Sequence, residues 1–170
     1  LHPEQKRQIA IHESGHAVAV HHLTPGKRIV HVSIVRRSEA LGYVMDVDKA
    51  DQWTMPLEDL FSGIAVSLMG YVATEVCLGK PWTGAASDLQ HVHRYLQILA
   101  ANGYFGAAAF DPAGKVMQEQ IVKHYEHMME QCRVFARQHQ KEIEALADVL
   151  VEKGDLTGDE ALAVIQGVKA

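Results

Sequence analysis

Three observations predict a mainly α fold with one small β-hairpin. Helical apolar spacing covers most of the chain, only one pair of β-branched alternating segments occurs (residues 29–47), and Ser or Thr is twice followed by Gln or Glu at capping-box distance. The class is therefore α+β, with a single domain expected over residues 1–170. Within it, residues 1–112 hold the hairpin and residues 113–170 form a carboxy-terminal helical segment. With 170 residues, 48% of them apolar and 22% charged, the chain has enough apolar surface to bury a core of its own.

The elements follow in order. Residues 5–22 read as a helix, with Ile9, Ala10, Ala17 and Val20 at helical spacing and Pro25-Gly26 as the stop. Residues 29–35 alternate through Val30, Val32 and Ile34, and residues 41–47 form a second strand-like run. The polar segment 36–39 joins them as a hairpin. A helix runs from Pro56 to Leu78, with Glu58 and Asp59 in its opening turn, where they complement the helix dipole. Ser87 and Gln90 form a capping-box pattern that makes Asp88 the first residue of the next helix, which ends near Asn102. After the turn at 111–114 one apolar stripe passes through Ile121, Tyr125, Met128, Cys132, Phe135, Ile143, Leu146 and Leu150, on one helix or two. Tyr and Met on such a stripe read as core filling. Thr157 and Glu160 open a short last helix.

Composition excludes several classes. A net charge of −5 without a Lys/Arg cluster excludes a nucleic-acid binder, which needs a basic face. Cys77 and Cys132 fit no ligand or redox spacing and read as free thiols in a reducing compartment, so a cytoplasmic location is expected, with membrane association in a full-length context as the alternative. No signal peptide is visible, and the opening Leu1 fits a segment excised from something longer. The most apolar stretch, 64–78, is interrupted by Ser67, Gly70, Thr74 and Glu75 and reads as a buried core helix, not a membrane segment.

The chemistry lies in His12-Glu13-Ser14-Gly15-His16, an H-E-x-x-H on the first helix. Positions four apart differ by about 40° around a helix axis, so the two imidazoles point the same way and can share one ion. Two such ligands leave room for a third and a water, the open arrangement of a catalytic zinc site. Zinc lowers the pKa of that water towards about 7, and Glu13 is the carboxylate placed to take its proton. A solvated helix face bearing the motif by accident is the alternative in a chain with 11 His. The apolar flanks at Ile9, Ala10, Ala17, Val18 and Val20 oppose it, because unpaired imidazoles and a carboxylate are costly on a partly buried helix. His22 matches a longer histidine spacing, but Ala19 stands where a helix-breaking Gly is needed. On a continuous helix His22 lies about 120° from His16 and misses the ion. A deformylase-type site fails as well, since its Cys ligand lies upstream and both cysteines here lie downstream. Two acids remain as third ligand, Glu75 in the apolar helix and Asp88 at a helix start, and spacing alone does not separate them.

His12 to Ala17, Ala40-Leu41-Gly42-Tyr43, Gly70 to Glu75 and Thr83-Gly84-Ala85-Ala86-Ser87-Asp88-Leu89 occur in the order found in the peptidase domain of FtsH-type AAA proteases. The stretch from Val122 through Tyr125 to Leu150, with Leu156-Thr157-Gly158, resembles that domain's closing helices. The resemblance spans almost the whole chain. It implies a zinc metalloendopeptidase, a hydrolase of unfolded or extended polypeptide, with His12, His16 and Asp88 as zinc ligands and Glu13 as base. It makes Glu75 a residue that orients a ligand His, and it makes the hairpin an edge strand to which substrate can add. It also suggests a homo-oligomer.

There are departures from the family pattern. Tyr71 stands where the family has Arg and Thr74 where it has its first Glu, and no G-x-x-x-x-G-K-[ST] occurs, so no ATP site is expected here. As it stands the chain is expected to cut peptides or segments already unfolded. The competing reading is a catalytically silent adaptor that binds extended peptides on the hairpin edge. Trp53 and Trp82 are candidates to line a substrate pocket, with core packing as their alternative role.

Overall fold

The computed structural model describes residues 2–37, 41–50 and 54–169. Helix α1 (Pro3–Leu23) starts with Pro3 at its first turn and ends where the Thr24 hydroxyl and amide bond the Val20 carbonyl. Strands β1 (Lys27–Ser33) and β2 (Tyr43–Asp48) pair antiparallel as expected, while residues 38 and 39 of the expected connection lie outside the described residues. The register shifts between Ile29 and His31, a bulge that sharpens the local twist. Helix α2 (Leu57–Leu78) follows, then α3 (Ala86–Ala101), a short 3₁₀ turn at Gly106–Phe110, α4 (Lys115–Gln138), α5 (Gln140–Lys153), strand β3 (Asp155–Thr157) and α6 (Gly158–Gly167).

The structure corrects two expectations. The sequence shows only a helix start after Leu150, yet Asp155–Thr157 pairs antiparallel with β1, giving the sheet order β2-β1-β3. Three residues are too few for a readable alternation, and the partner strand supplies the pairing. Secondly, α3 begins at Ala86 with Ala85 as its cap, so Ser87 caps nothing and Asp88 is the third helical residue. Its side chain is drawn to two histidines instead. The capping box at Thr157 and Glu160 does form, with both reciprocal bonds present.

Helix α1 is the centre of the molecule. From Glu13 to Val20 every residue is buried, together with Ile9, Ala10 and Ile11. It packs on α2, α5 and β1, and its apolar residues join Leu68, Met69, Val72, Leu146, Leu150 and Leu156 in one core cluster. Each such Leu or Ile contributes about 1.5–3 kcal/mol by leaving water. Among the described helices α2 is the one long and apolar enough to cross a membrane, but Leu60, Ile64, Leu68, Met69 and Val72 are committed to this core. The apolar stripe from residue 121 to 150 lies on two helices, broken at His139.

The crossing of α1 on α2 is close. A Cβ built on Gly15 would lie 2.6 Å from both the Ala73 Cβ and the Met69 carbonyl oxygen. The backbone carbonyl cannot rotate away as a side chain could. Replacing Gly15 by Ala is therefore expected to destabilise the protein by about 1–3 kcal/mol through overpacking, although Ala is the better helix former. Urea unfolding measures it, and an unchanged or raised midpoint would show that the helices can move apart at no cost.

Candidate metal centre

His12 and His16 leave α1 on the face that meets α2 and the start of α3. Their Nε2 atoms are 3.0 Å apart. The Asp88 Oδ2 lies 3.0 Å from His12 Nε2 and 3.4 Å from His16 Nε2. Donors about 2.0 Å from a tetrahedral zinc are roughly 3.3 Å from one another, so this triangle has the size such an ion requires. The donor set, two imidazoles and a carboxylate, is also one that zinc accepts.

Two backbone features hold that triangle. The Val66 carbonyl of α2 accepts a hydrogen bond from His16 Nδ1 at 2.7 Å, which directs Nε2 at the other donors. Gly70, one turn further along α2, faces the imidazoles themselves. A Cβ there would lie 2.5 Å from His16 Nε2 and 2.6 Å from His12 Nε2, filling the space in front of the donor atoms. In the sequence Gly70 stands out only as a member of a motif. A glycine inside a helix hints at a close approach but does not say what approaches, as Gly63 of the same helix, which faces Tyr95, illustrates.

Glu13 is 7% exposed, and its carboxyl pKa is raised. Burial is the main cause, opposed by the positive rings of His16 and His12 and reinforced by the charge of Asp88. Its side chain lies against Gly42 at the entrance to β2, where a Cβ would come 2.7 Å from Oε1. Burial alone would lower the His16 pKa, but the hydrogen bond and charge of Asp88 outweigh it and push the ring up to about 9. Burial likewise would raise Asp88, yet its bonds to His12 and His16 hold the carboxyl well below the usual carboxylate range.

These groups open into a cleft of about 520 Å³ between α1, β2, α2 and α3. Tyr43 and Val44 of β2 and His91 and Tyr95 of α3 line it. Tyr43 is held from behind: its hydroxyl is hydrogen-bonded to His31 Nδ1 at 2.6 Å, and His31 Nε2 donates to Asp155 Oδ1 at 2.7 Å. One side-chain relay thus ties β2, β1 and β3 together. No sequence pattern announces it, because the three residues come from separate strands.

The sequence candidates therefore separate. His12, Glu13, His16 and Asp88 come together, while His22 does not join them and bonds Glu142 instead. Glu75 is also elsewhere: the expectation that it orients a ligand His is corrected, because it accepts from Arg133 Nε at 3.2 Å on the α4 side of α2. Five residues past Gly70, it has turned away from the imidazoles. Trp82 packs beneath Lys80, whose Nζ is 5.0 Å from the ring centre. Trp53 lies outside the described residues.

Comparison with known proteins places these residues in a family context. The family model described as Peptidase family M41 matches residues 1–102. An ATP-dependent zinc metalloprotease FtsH of Chlorobium luteolum is 27% identical over 176 residues, covering 90% of this chain and 25% of the relative. The mitochondrial inner membrane m-AAA protease component yta12 of Schizosaccharomyces pombe is 28% identical, over 97% of this chain and 24% of its own length. The corresponding component AFG3L2 of Mus musculus is 36% identical over 65% of this chain and 14% of its own length. The chain thus spans a quarter or less of these relatives.

In metal-free protein, the His16 ring is expected to keep its proton through neutral pH and release it near pH 9. Because the folded value lies above the unfolded one, the stability this proton contributes is complete below pH 6.5 and is lost as pH rises through about 9. Ring-proton NMR against pH checks it. Titration at or below the ordinary His value would show that Asp88 does not hold that proton.

Proposed function

The chain belongs to peptidase family M41, and on that footing we propose that it is a zinc-dependent metalloendopeptidase hydrolysing peptide bonds in unfolded or extended polypeptides. The observation that carries the reading is the donor triangle of His12, His16 and Asp88 with the buried Glu13 beside it. In this reading those three residues hold the zinc and Glu13 is the general base. When bound, zinc supplies a Lewis acid that acidifies water and polarises a carbonyl.

The protein's own groups do the rest. The Glu13 carboxylate takes a proton from the attacking water and returns it to the leaving amine. Burial favours this, since a raised pKa makes the carboxylate a stronger base near neutral pH. The Val66 carbonyl keeps His16 in the tautomer whose Nε2 can ligate. Strand β2 is one of the two edge strands of the sheet and the one whose residues line the cleft, so an extended peptide can add to it through main-chain hydrogen bonds. Such bonds carry little sequence preference, which suits unfolded substrates.

The relatives' names couple hydrolysis to ATP, but these 170 residues contain no G-x-x-x-x-G-K-[ST], so the proposal covers hydrolysis alone. Residues 1–170 act here as one peptidase domain, able to assemble as a homo-oligomer. Burial pushes the thiols of Cys77 and Cys132 up to about 12, which keeps them unreactive and suits a reducing, cytoplasmic setting.

Glu13→Gln is expected to lower casein cleavage on the order of 10²–10⁴-fold, the usual worth of a general base, while zinc stays bound. Undiminished turnover would remove Glu13 from the mechanism. Peptide binding without any turnover by zinc-loaded wild type would favour the adaptor reading. Asp88→Asn is expected to weaken zinc binding far more than Glu75→Gln, as read by competition with a chelating dye. The opposite ranking would assign the third ligand to Glu75.

A further inference from the structure

A second group of metal-ligating side chains lies at the far end of α1. His22 sits in the last turn of that helix, His139 is the single residue between α4 and α5, and Glu142 is in the first turn of α5. The Glu142 Oε2 is 2.7 Å from His22 Nε2 and 3.1 Å from His139 Nδ1. The two imidazole rings lie with centroids 4.1 Å apart and planes inclined at 36°, so both present a nitrogen to the same carboxylate oxygen. All three donor atoms fall within 4.8 Å of one another.

We propose that His22, His139 and Glu142 form a second binding site for a zinc-like divalent transition-metal ion, which ties the end of α1 to the α4–α5 elbow. The inference does not rest on the peptidase reading. Two imidazole nitrogens and a carboxylate are borderline donors suited to zinc and neighbouring first-row metals, and three of them leave one coordination position for water. The side chains are between 19% and 30% exposed, open enough for an ion to enter and shielded enough to be held in place. Two helix ends favour a cation here, against the neighbouring His21 and Lys49. Helices α1 and α4 both end here, and their carbonyl ends carry partial negative charge. The positive end of α5 opposes them, and Glu142 in its first turn offsets that.

The rings are also fixed in position. Phe135 lies 4.3 Å from the His139 ring centre and 6.0 Å from that of His22, so the aromatic stack orders both imidazoles without a metal. A preformed donor set loses less entropy on binding an ion than three free side chains would. The simpler account is a carboxylate that merely accepts two imidazole N–H bonds. It predicts no metal and no response to one.

The full chain, stripped with chelator and dialysed against micromolar Zn2+, distinguishes these accounts by metal analysis and thermal melting. Wild type is expected to retain about two zinc ions per chain, and His139→Gln, His22→Gln and Asp88→Asn about one each. In the Asp88→Asn background added zinc should still raise Tm, since binding only the folded state stabilises it. That rise should vanish when His139→Gln is added. Circular dichroism of the metal-free variants reports whether they are folded, and His22→Gln repeats the test from α1 if His139→Gln is not. About one zinc in folded wild type and in His22→Gln alike, or none in Asp88→Asn, would overturn the second site. Loss of the first ion alone would leave it standing and count against the peptidase centre only.

Discussion

The distance between α1 and α2 governs the rest of the molecule. Gly15 and Ala73 let the helices meet with the Met69 carbonyl almost in contact with α1. One turn away, at the same crossing, Gly70 leaves the space into which the His12 and His16 nitrogens project. A wider crossing would carry Val66 away from His16 Nδ1 and free the ring to rotate. Helix packing and ligand geometry are thus one constraint, and small residues satisfy both.

That constraint brings ionisable groups into a space with little water. Two imidazoles, Glu13 and Asp88 lie together, and the pKa values of Glu13 and His16 move up while that of Asp88 moves down. Asp88 stays ionised because two rings donate to it, while burial dominates at Glu13 and carries its carboxyl upward. The two carboxyl groups are therefore suited to different tasks, one to hold a cation and the other to carry a proton. The hydrogen bond and charge of Asp88 favour a proton on His16. A cation at the same place would compete with that proton, since a ligating imidazole must give it up.

The sheet and the closing helices support the cleft from outside. Because β3 pairs with β1 on the side away from β2, β2 keeps one edge unpaired within the sheet, and its residues Tyr43, Val44 and Asp46 line the cleft. The relay from Tyr43 through His31 to Asp155 couples that edge to the carboxy-terminal segment, so residues 113–170 help to set the position of a side chain on the cleft wall. Helix α5 packs along α1 at the same time. At the last turn of α1, His22 meets the α4–α5 elbow, so the end of the central helix is also fastened to this segment of the chain.

Local sequence determined the helices, the hairpin, and the pairing of His12 with His16 around Glu13. These depend on spacings of a few residues, where 3.6- and 2-residue periods decide which side chains share a face. Resemblance to a family, not spacing, singled out Asp88 over Glu75. Tertiary structure alone decided the rest: which carbonyl holds His16, why residue 70 has no side chain, where Glu75 and His22 go, and that Asp155–Thr157 is a strand. Each depends on a partner 40 or more residues away, and a three-residue strand or a glycine in a helix carries no local mark of the element that will meet it. Even Asp88, which its local pattern makes a first helical residue, is the third, and its carboxylate meets two histidines of another helix that lie more than 70 residues back in the chain.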